Sequence, residues 1–181
     1  MVVLLEQEVV VKELLHNMNK YIYYILIIFS TSTLSGQNTL SELLKKYNSK
    51  KINYISVQEL AMPKTKAIIL DAREINEYNV SHIKDAYYVG YNDFKIETVL
   101  NHIQDKNRKI VVYCSIGIRS ETIAHKIKKA GFTNVLNLYG GIFEWKNNNY
   151  PVYTNEGLQT ENVHVFSNEW SKWLKKGVKI Y

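Results

Sequence analysis

Three short apolar runs constrain the fold of this chain more than any other feature. They occupy residues 67–70, 110–113 and 135–138, and they are rich in Ile, Val and Leu. Nearly continuous runs of this kind are typical of parallel strands that are buried on both faces. Between the second and third runs, residues 120–130 place apolar side chains at helical spacing, and Gly131 follows as a helix stop. The pattern predicts a βαβ unit, and hence an α/β fold with a central parallel sheet flanked by helices.

Two polar residues with chemical potential follow directly after predicted strands. Asp71 ends the first apolar run and Cys114 ends the second. Open parallel sheets place their ligand sites at the carboxyl ends of the strands, so the candidate site lies at this edge. Because Cys114 is the one cysteine of the chain, an intramolecular disulfide and a four-cysteine zinc site are both excluded. The histidines have no metal-ligand spacing, so we expect no metal and no cofactor.

The segment after the second strand has the properties of a binding loop for an anionic sulfur. A loop that wraps a sulfur aims backbone N–H groups at it, and the helix that follows adds positive partial charge. Arg119 adds a permanent positive charge, and Gly117 permits a tightly curved backbone. Each feature favours the thiolate over the thiol, so we predict a nucleophilic cysteine. The predicted catalytic residues are Cys114 and Arg119, and the predicted loop residues are Ser115, Ile116, Gly117, Ile118 and Ser120.

The ordered set of motifs resembles a single-domain rhodanese, a member of the sulfurtransferase family. The resemblance covers roughly residues 52–153 and implies the α/β fold with a cysteine persulfide intermediate. Its matching segments are Leu70-Asp71-Ala72-Arg73, Glu77-Tyr78, His82-Ile83, Ala86, Val112-Tyr113-Cys114, Arg119-Ser120, Ala130-Gly131-Phe132, Leu138-Tyr139-Gly140-Gly141, Trp145 and Pro151-Val152.

The resemblance also implies roles for individual residues. Cys114 would take a sulfane sulfur from a small donor, either thiosulfate or a persulfide, and pass it to cyanide or a thiol. A thioredoxin-like protein is among the thiol acceptors that the resemblance allows. Asp71 and Arg73 are expected to brace the loop, and Glu77 to pair with Arg119 or Arg73. Many family members that use thiosulfate carry a basic residue where this chain has Ser115, so the natural donor stays open.

Two other functions compete with sulfur transfer. Phosphatases and arsenate reductases of the same fold also use a cysteine, a loop and an arginine. Their loop is longer, whereas here four residues separate Cys114 from Arg119, and the smaller loop fits a single sulfur atom better than a tetrahedral oxyanion. The second rival is a non-catalytic binding or regulatory module, which the intact cysteine disfavours.

The beginning of the chain has the pattern of a secretory signal peptide over residues 1–36. Lys20 precedes the apolar run 21–29, and small polar residues follow it. The run is too short to span a bilayer as a helix, so membrane contact is expected only transiently through this segment. Acidic residues before Lys20 oppose the pattern, and a start at Met18 resolves the conflict. We expect cleavage near Gly36-Gln37 and an exported, periplasmic protein; without a used signal the protein is cytoplasmic.

Two extensions flank the predicted domain. Residues 37–51 form an arm with a short helix, because Thr39 and Glu42 make a capping box. Residues 154–181 are predicted to be an amphipathic helical tail that docks onto its own domain. The net charge of +6 comes from scattered basic residues, so no nucleic-acid partner is expected. The apolar face of the predicted tail helix comprises Phe166, Trp170, Trp173 and Leu174.

Overall fold

A computed structural model describes Met18, residues 39–49 and residues 51–181 of the protein. The predicted signal segment, including the apolar run and the cleavage point, lies outside the described residues except for Met18. Residues Thr39–Tyr181 form one compact unit. In the part of the chain that the structure describes, no helix has both the length and the apolar character needed to cross a membrane.

Five parallel strands form the central sheet, in the order β1-β5-β4-β2-β3. The three strands predicted from the apolar runs are β2, β4 and β5, which lie side by side at the centre. Strand β4 is buried along its whole length because it is covered on both faces. The strands are β1 (Asn53–Ile55), β2 (Ile68–Asp71), β3 (Tyr87–Tyr88), β4 (Ile110–Tyr113) and β5 (Val135–Leu138).

Helices cover both faces of the sheet and create two apolar clusters. On one face, Ile110 and Val112 pack in a cluster that includes the buried side of α5. On the other face, Val111 and Tyr113 pack in a cluster that includes residues of α2 and α6. This alternation explains why β4 reads as a continuous apolar run. The helices are α1 (Leu40–Tyr47), α2 (Val57–Ala61), α3 (Ile75–Val80), α4 (Ile96–His102), α5 (Arg119–Lys129) and α6 (Gly141–Asn147).

The predicted helix of the arm is present as α1, and its capping box is formed. The Glu42 N–H donates to Thr39 Oγ1 at 3.2 Å, and the Thr39 N–H donates to Glu42 Oε2 at 2.7 Å. These two bonds satisfy N–H groups that the first turn of a helix leaves without partners. Leu44 is the fully buried residue of α1, and Leu40 and Leu43 pack partly buried against the main apolar cluster.

The tail differs from its prediction, because it contains strands and a 3₁₀ turn where an amphipathic α-helix was expected. Val163 and Val165 are both buried on either side of His164, which is the alternation of a strand. Phe166, the first residue of the predicted apolar face, has a positive φ angle, which a continuous helix does not permit. The elements are β6 (Val152–Tyr153), antiparallel to β7 (Gln159–Thr160), then β8 (Asn162–His164), parallel to β9 (Val178–Ile180), with the turn Ser171–Trp173 between them.

The tail nevertheless docks onto its own domain, as predicted. Leu174 is buried in the main apolar cluster, and Trp170 and Trp173 pack against that cluster. The side chain of Asn147 holds the tail by donating to the Trp173 carbonyl at 2.9 Å and accepting the Lys175 N–H at 2.7 Å. The prediction for residues 154–181 was therefore wrong about the secondary structure of the tail.

Candidate functional site

The candidate loop connects β4 to α5 at the carboxyl edge of the sheet. Cys114 follows the last residue of β4, and Arg119 is the first residue of α5. Between them, Ile116 is buried in the main apolar cluster and Ile118 packs partly buried against it. Gly117 has φ +100°, and a Cβ atom there would lie 3.2 Å from the Leu138 carbonyl oxygen. Glycine is therefore needed at the midpoint of the loop.

The sulfur of Cys114 lies inside the loop and has no exposed surface. The Gly117 N–H donates to Sγ at 3.1 Å. The Ser120 hydroxyl is 3.5 Å from Sγ and 2.7 Å from Asn137 Oδ1, so its single proton has a choice between the two acceptors. Among the described residues, Gly117 supplies the loop amide that donates to Sγ, whereas the sequence predicted several amides from Ser115 to Ser120.

Two carbonyl groups at the start of the loop are held by the N-terminus of α6. The Ile142 N–H donates to the Cys114 carbonyl at 2.9 Å, and the Phe143 N–H donates to the Ser115 carbonyl at 3.1 Å. A side chain at Gly141 would collide with both carbonyl-bearing residues. The double glycine after β5 thus allows α6 to approach the loop and to fix its backbone.

Arg119 is held by the carboxylate of Glu77 and by the hydroxyl of Ser115. Its guanidinium donates to both oxygens of Glu77, at 2.6 and 2.8 Å, and to Ser115 Oγ at 2.9 Å. The Ser115 hydroxyl in turn donates to Glu77 Oε1 at 2.9 Å. Burial raises the pKa of Glu77, but the hydrogen bonds and the charge of Arg119 outweigh this effect, and the pKa lies below its ordinary value. The pair ties the loop to α3 and compensates the charge of Arg119.

A second ion pair lies at the end of β2. Arg73 binds the Asp71 carboxylate with contacts of 2.7 to 3.1 Å, and both side chains have no exposed surface. Arg73 also donates to the Ser81 carbonyl at 2.6 Å, and the Tyr113 phenol donates to Asp71 at 2.5 Å. Burial and the negative charge of Asp71 raise the pKa of Tyr113 well above its ordinary value. The pair therefore supports Tyr113 in β4, the strand that leads into the loop.

Two asparagines that the sequence analysis did not select also hold the loop. Asn48, which caps the C-terminus of α1, donates to the Gly117 carbonyl at 2.9 Å. Asn137 in β5 donates to the same carbonyl at 2.9 Å. Both residues are distant from Cys114 in the sequence. Asn48 belongs to no local motif that could have predicted its role. The polar residue inside the apolar run of β5 was a signal for Asn137, because a buried amide requires partners.

Both flanking segments lie against the loop. The Phe166 ring of the tail stacks on the Arg119 guanidinium at 4.2 Å, and the Trp170 ring lies 5.7 Å from it. From the arm, Leu44 approaches Gly117 next to the bond that Asn48 makes. The tail thus contacts the arginine of the loop, and the arm contacts its glycine.

The fold and the length of the cysteine loop together define a class of protein. Comparison with known proteins finds the same class. The Rhodanese-like domain family matches residues 56–148, just over half of the chain. The protein therefore belongs to the rhodanese-like domain family. The solution structure of the rhodanese-like domain of the Anabaena sp. Alr3790 protein superimposes with a TM-score of 0.51 at 24% identity. It covers 56% of this chain and 78% of that one, and this likeness shows the shared fold.

Curated relatives have more than one name. A tRNA uridine(34) hydroxylase of Aster yellows witches'-broom phytoplasma (strain AYWB) is 34% identical over 99 residues, or 51% of this chain and 32% of that protein. The protein YrkF of Bacillus subtilis (strain 168), named as a candidate sulfur carrier, is 36% identical over 77 residues. That match covers 42% of this chain and 40% of YrkF. The chain thus spans about a third of the hydroxylase and two fifths of YrkF.

Proposed function

We propose that the protein is a sulfurtransferase that carries a sulfane sulfur on Cys114. In the loading step, the Cys114 thiolate attacks the outer sulfur of thiosulfate or of a persulfide donor. A new S–S bond forms to Cys114 while the S–S bond of the donor breaks. With thiosulfate, sulfite leaves with the bonding electron pair and the persulfide Cys114–S–SH takes up one proton.

In the discharge step, an acceptor thiolate attacks the outer sulfur of the persulfide. The bond between the outer sulfur and Cys114 breaks, Cys114 leaves as a thiolate, and the acceptor departs as R–S–SH. Atoms and charge balance without an oxidant, a metal or a cofactor. A small thiol or a thioredoxin-like protein would serve as the acceptor.

The environment of the sulfur is the observation that carries this proposal. Sγ accepts the Gly117 N–H inside a loop whose carbonyls are fixed by α6 and whose arginine is fixed by Glu77. A preorganised donor on the sulfur stabilises an anion there without reorganisation during the reaction. The loop offers this donor to a single sulfur atom, which is the leaving group of the discharge step.

The position of Arg119 disfavours a phosphatase or an arsenate reductase. Oxyanion transfer benefits from a guanidinium that faces the transferred group. Here Arg119 is bound by both oxygens of Glu77 and is covered by the Phe166 ring. A phosphatase assay on the purified protein is expected to show no activity above that of the Cys114→Ala variant.

A second candidate function follows from the names of the relatives. The match to a tRNA uridine(34) hydroxylase spans 99 residues and about a third of that protein, so this chain corresponds to one part of such an enzyme. Incubation of the protein with tRNA and an oxidant that supplies the oxygen atom, followed by mass analysis of the nucleosides, tests for hydroxylation of the wobble uridine. Hydroxylation that depends on Cys114 would favour this candidate over sulfur transfer.

Export of the protein to the periplasm is part of the proposal. The basic residue, the apolar run 21–29 and the small polar residues after it support a cleaved signal. N-terminal sequencing of the protein from a periplasmic fraction is expected to begin near Gln37. Retention of residues 1–17, or an exclusively cytoplasmic protein, would contradict export.

Loading of the protein with a sulfur donor tests the proposed function. Incubation with thiosulfate or a small persulfide, followed by intact mass measurement, is expected to add one sulfur atom per chain. The Cys114→Ala variant should gain none. A wild-type protein that gains no sulfur from any donor would instead behave as a non-catalytic binding module.

A further inference from the structure

A cavity of about 350 Å³ lies beside the Cys114 loop, between α1 and the end of the sheet. Leu44, Lys45 and Asn48 line it from the arm, and Ile52 and Tyr54 line it from the chain before and within β1. Its volume is within the range of small-molecule sites, which begin at about 300 Å³. Apart from Tyr139, the residues that line the cavity lie outside residues 56–148, the part of the chain that matches the rhodanese-like family.

Two residues of the cavity wall also touch the loop that holds the sulfur. Leu44 has a methyl group 3.7 Å from the position that a Cβ of Gly117 would take. Asn48 donates to the Gly117 carbonyl, and the N–H of the same glycine binds Sγ. Leu44 and Asn48 thus form a partition between the cavity and the loop. Since Cys114 has no exposed surface, a substrate must displace part of its cover, and a ligand in this cavity is already beside the partition.

The polar groups of the cavity indicate the chemistry of its ligand. Among the described lining residues, Lys45 carries the only charge, and its side chain is exposed. The carboxylate of Glu42 interacts with the charge of Lys45, but its hydrogen bond comes from the Thr39 N–H. The carboxylate of Glu121 accepts hydrogen bonds from Ser49. A single ammonium group at the rim of a largely apolar cavity fits a small molecule with one carboxylate.

Asn48 adds an independent indication of a ligand. The residue is 8% exposed, and its Nδ2 group is fully used by the Tyr54 hydroxyl and the Gly117 carbonyl. Its Oδ1 atom accepts no hydrogen bond in the described part of the chain. A buried amide oxygen without a partner is costly, and a ligand S–H or N–H group at the partition would satisfy it.

We propose that this cavity binds the acceptor of the sulfurtransferase reaction, a small thiol that carries a carboxylate, with Lys45 as the carboxylate-binding residue. The inference rests on the proposed function for the identity of the reaction. The thiolate of the bound acceptor attacks the outer sulfur of Cys114–S–SH when Leu44 moves aside. Cys114 leaves as a thiolate, and the acceptor keeps the transferred sulfur as R–S–SH.

Alkylation tests the cavity without any need for sulfur transfer. Iodoacetate and iodoacetamide are similar in size, react with the one cysteine of the chain, and differ by a negative charge. Lys45→Ala is expected to lower the ratio of the iodoacetate rate to the iodoacetamide rate by about fivefold, the effect of one exposed charge at close range. Lys46→Ala removes the neighbouring exposed lysine, which does not line the cavity, and should leave the ratio unchanged.

Discharge of the loaded protein tests the acceptor itself. With 3-mercaptopropionate, Lys45→Ala should raise KM about fivefold at unchanged kcat. With the neutral 2-mercaptoethanol, Lys45→Ala should leave KM unchanged. Lys46→Ala should leave KM unchanged with both thiols. Equal effects of the two lysine variants, or none, would overturn the cavity proposal even if sulfur loads normally. Failure of loading with every donor would overturn the proposed function while the alkylation ratio still reports on the cavity.

Discussion

Two buried ion pairs in the described part of the chain stabilise different parts of the molecule. Asp71 and Arg73 are two residues apart in sequence and lie together at the end of β2, with no exposed surface. Glu77 and Arg119 are 42 residues apart and join α3 to the loop of Cys114. The first pair binds a strand and a turn, whereas the second binds the loop that holds the sulfur. A buried charge pair is therefore an indicator of the site only when one partner belongs to the reactive segment.

The largest effect is expected from Arg73→Met, which leaves the Asp71 carboxylate buried without its partner. Removal of one partner of a buried ion pair costs about 3–5 kcal/mol of unfolding free energy. Urea unfolding monitored by tryptophan fluorescence measures this cost. The double variant Asp71→Asn/Arg73→Met should recover part of it, because no charge stays unpaired. A single variant as stable as the wild-type protein would mean that the pair contributes nothing to the fold.

Glu77→Gln is expected to cost less stability and to affect the reaction. The variant weakens two charged hydrogen bonds from Arg119, and the expected loss of unfolding free energy is about 2 kcal/mol. Because the common acceptor of Ser115 and Arg119 loses its charge and one of its two oxygens, sulfur loading of Cys114 should be slower in the folded protein. Loading rates for this variant and for Asp71→Asn/Arg73→Met, compared at equal folded fraction, separate the two pairs. Equal rates in the two variants would remove the functional distinction between them.

The Glu77–Arg119 pair makes the stability of the protein depend on pH. Although burial opposes it, the bonds and charge of Arg119 lower the pKa of Glu77 in the folded protein. The stabilisation is therefore fully present above the ordinary value of 4.5 and is lost as the pH falls through the lowered folded value. The stability difference between wild type and Glu77→Gln should stay constant near neutral pH and shrink in acid. A difference that grows in acid would have the wrong sign for this pair.

Tyr113→Phe is the smallest of these changes. The variant removes a phenol that donates to Asp71 and accepts the Ile83 N–H at 3.2 Å. The expected loss is about 1 kcal/mol, the usual net value of a buried hydrogen bond. Thermal unfolding detects it, and the loading rate should match that of the wild-type protein. A slow but stable Tyr113→Phe variant would show that the first pair also shapes the loop.

The sequence predicted the centre of the fold because local physics determines it. The nearly continuous apolar runs of β2, β4 and β5 are typical of strands in a sheet that is covered on both faces. The capping box of Thr39 and Glu42 fixes the start of α1 within a few residues. The resemblance anticipated that Glu77 pairs with Arg119 or Arg73, and the structure places it on Arg119.

The remaining features depend on contacts that no local pattern encodes. The helix predicted for the tail was wrong, because the spacing of its aromatic residues concealed the alternation of Val163 and Val165 about a strand. The bond from Asn48 to Gly117 joins residues 69 positions apart, and only the folded arm brings them together. Conformational preferences of single segments do not specify such pairs, which arise from packing.

Discharge of preloaded protein by a thiol tests whether Cys114 carries a transferable sulfur. Wild-type protein loaded with one sulfur atom is freed of donor and mixed with 3-mercaptopropionate. Peptide mass spectrometry before and after mixing follows the sulfur on Cys114. The added sulfur is expected to reside on Cys114 and to leave with the thiol as one R–S–SH per chain, after which the unmodified mass returns. Sulfur on another residue, or a Cys114 persulfide that no thiol discharges, would show that Cys114 is not a sulfur carrier.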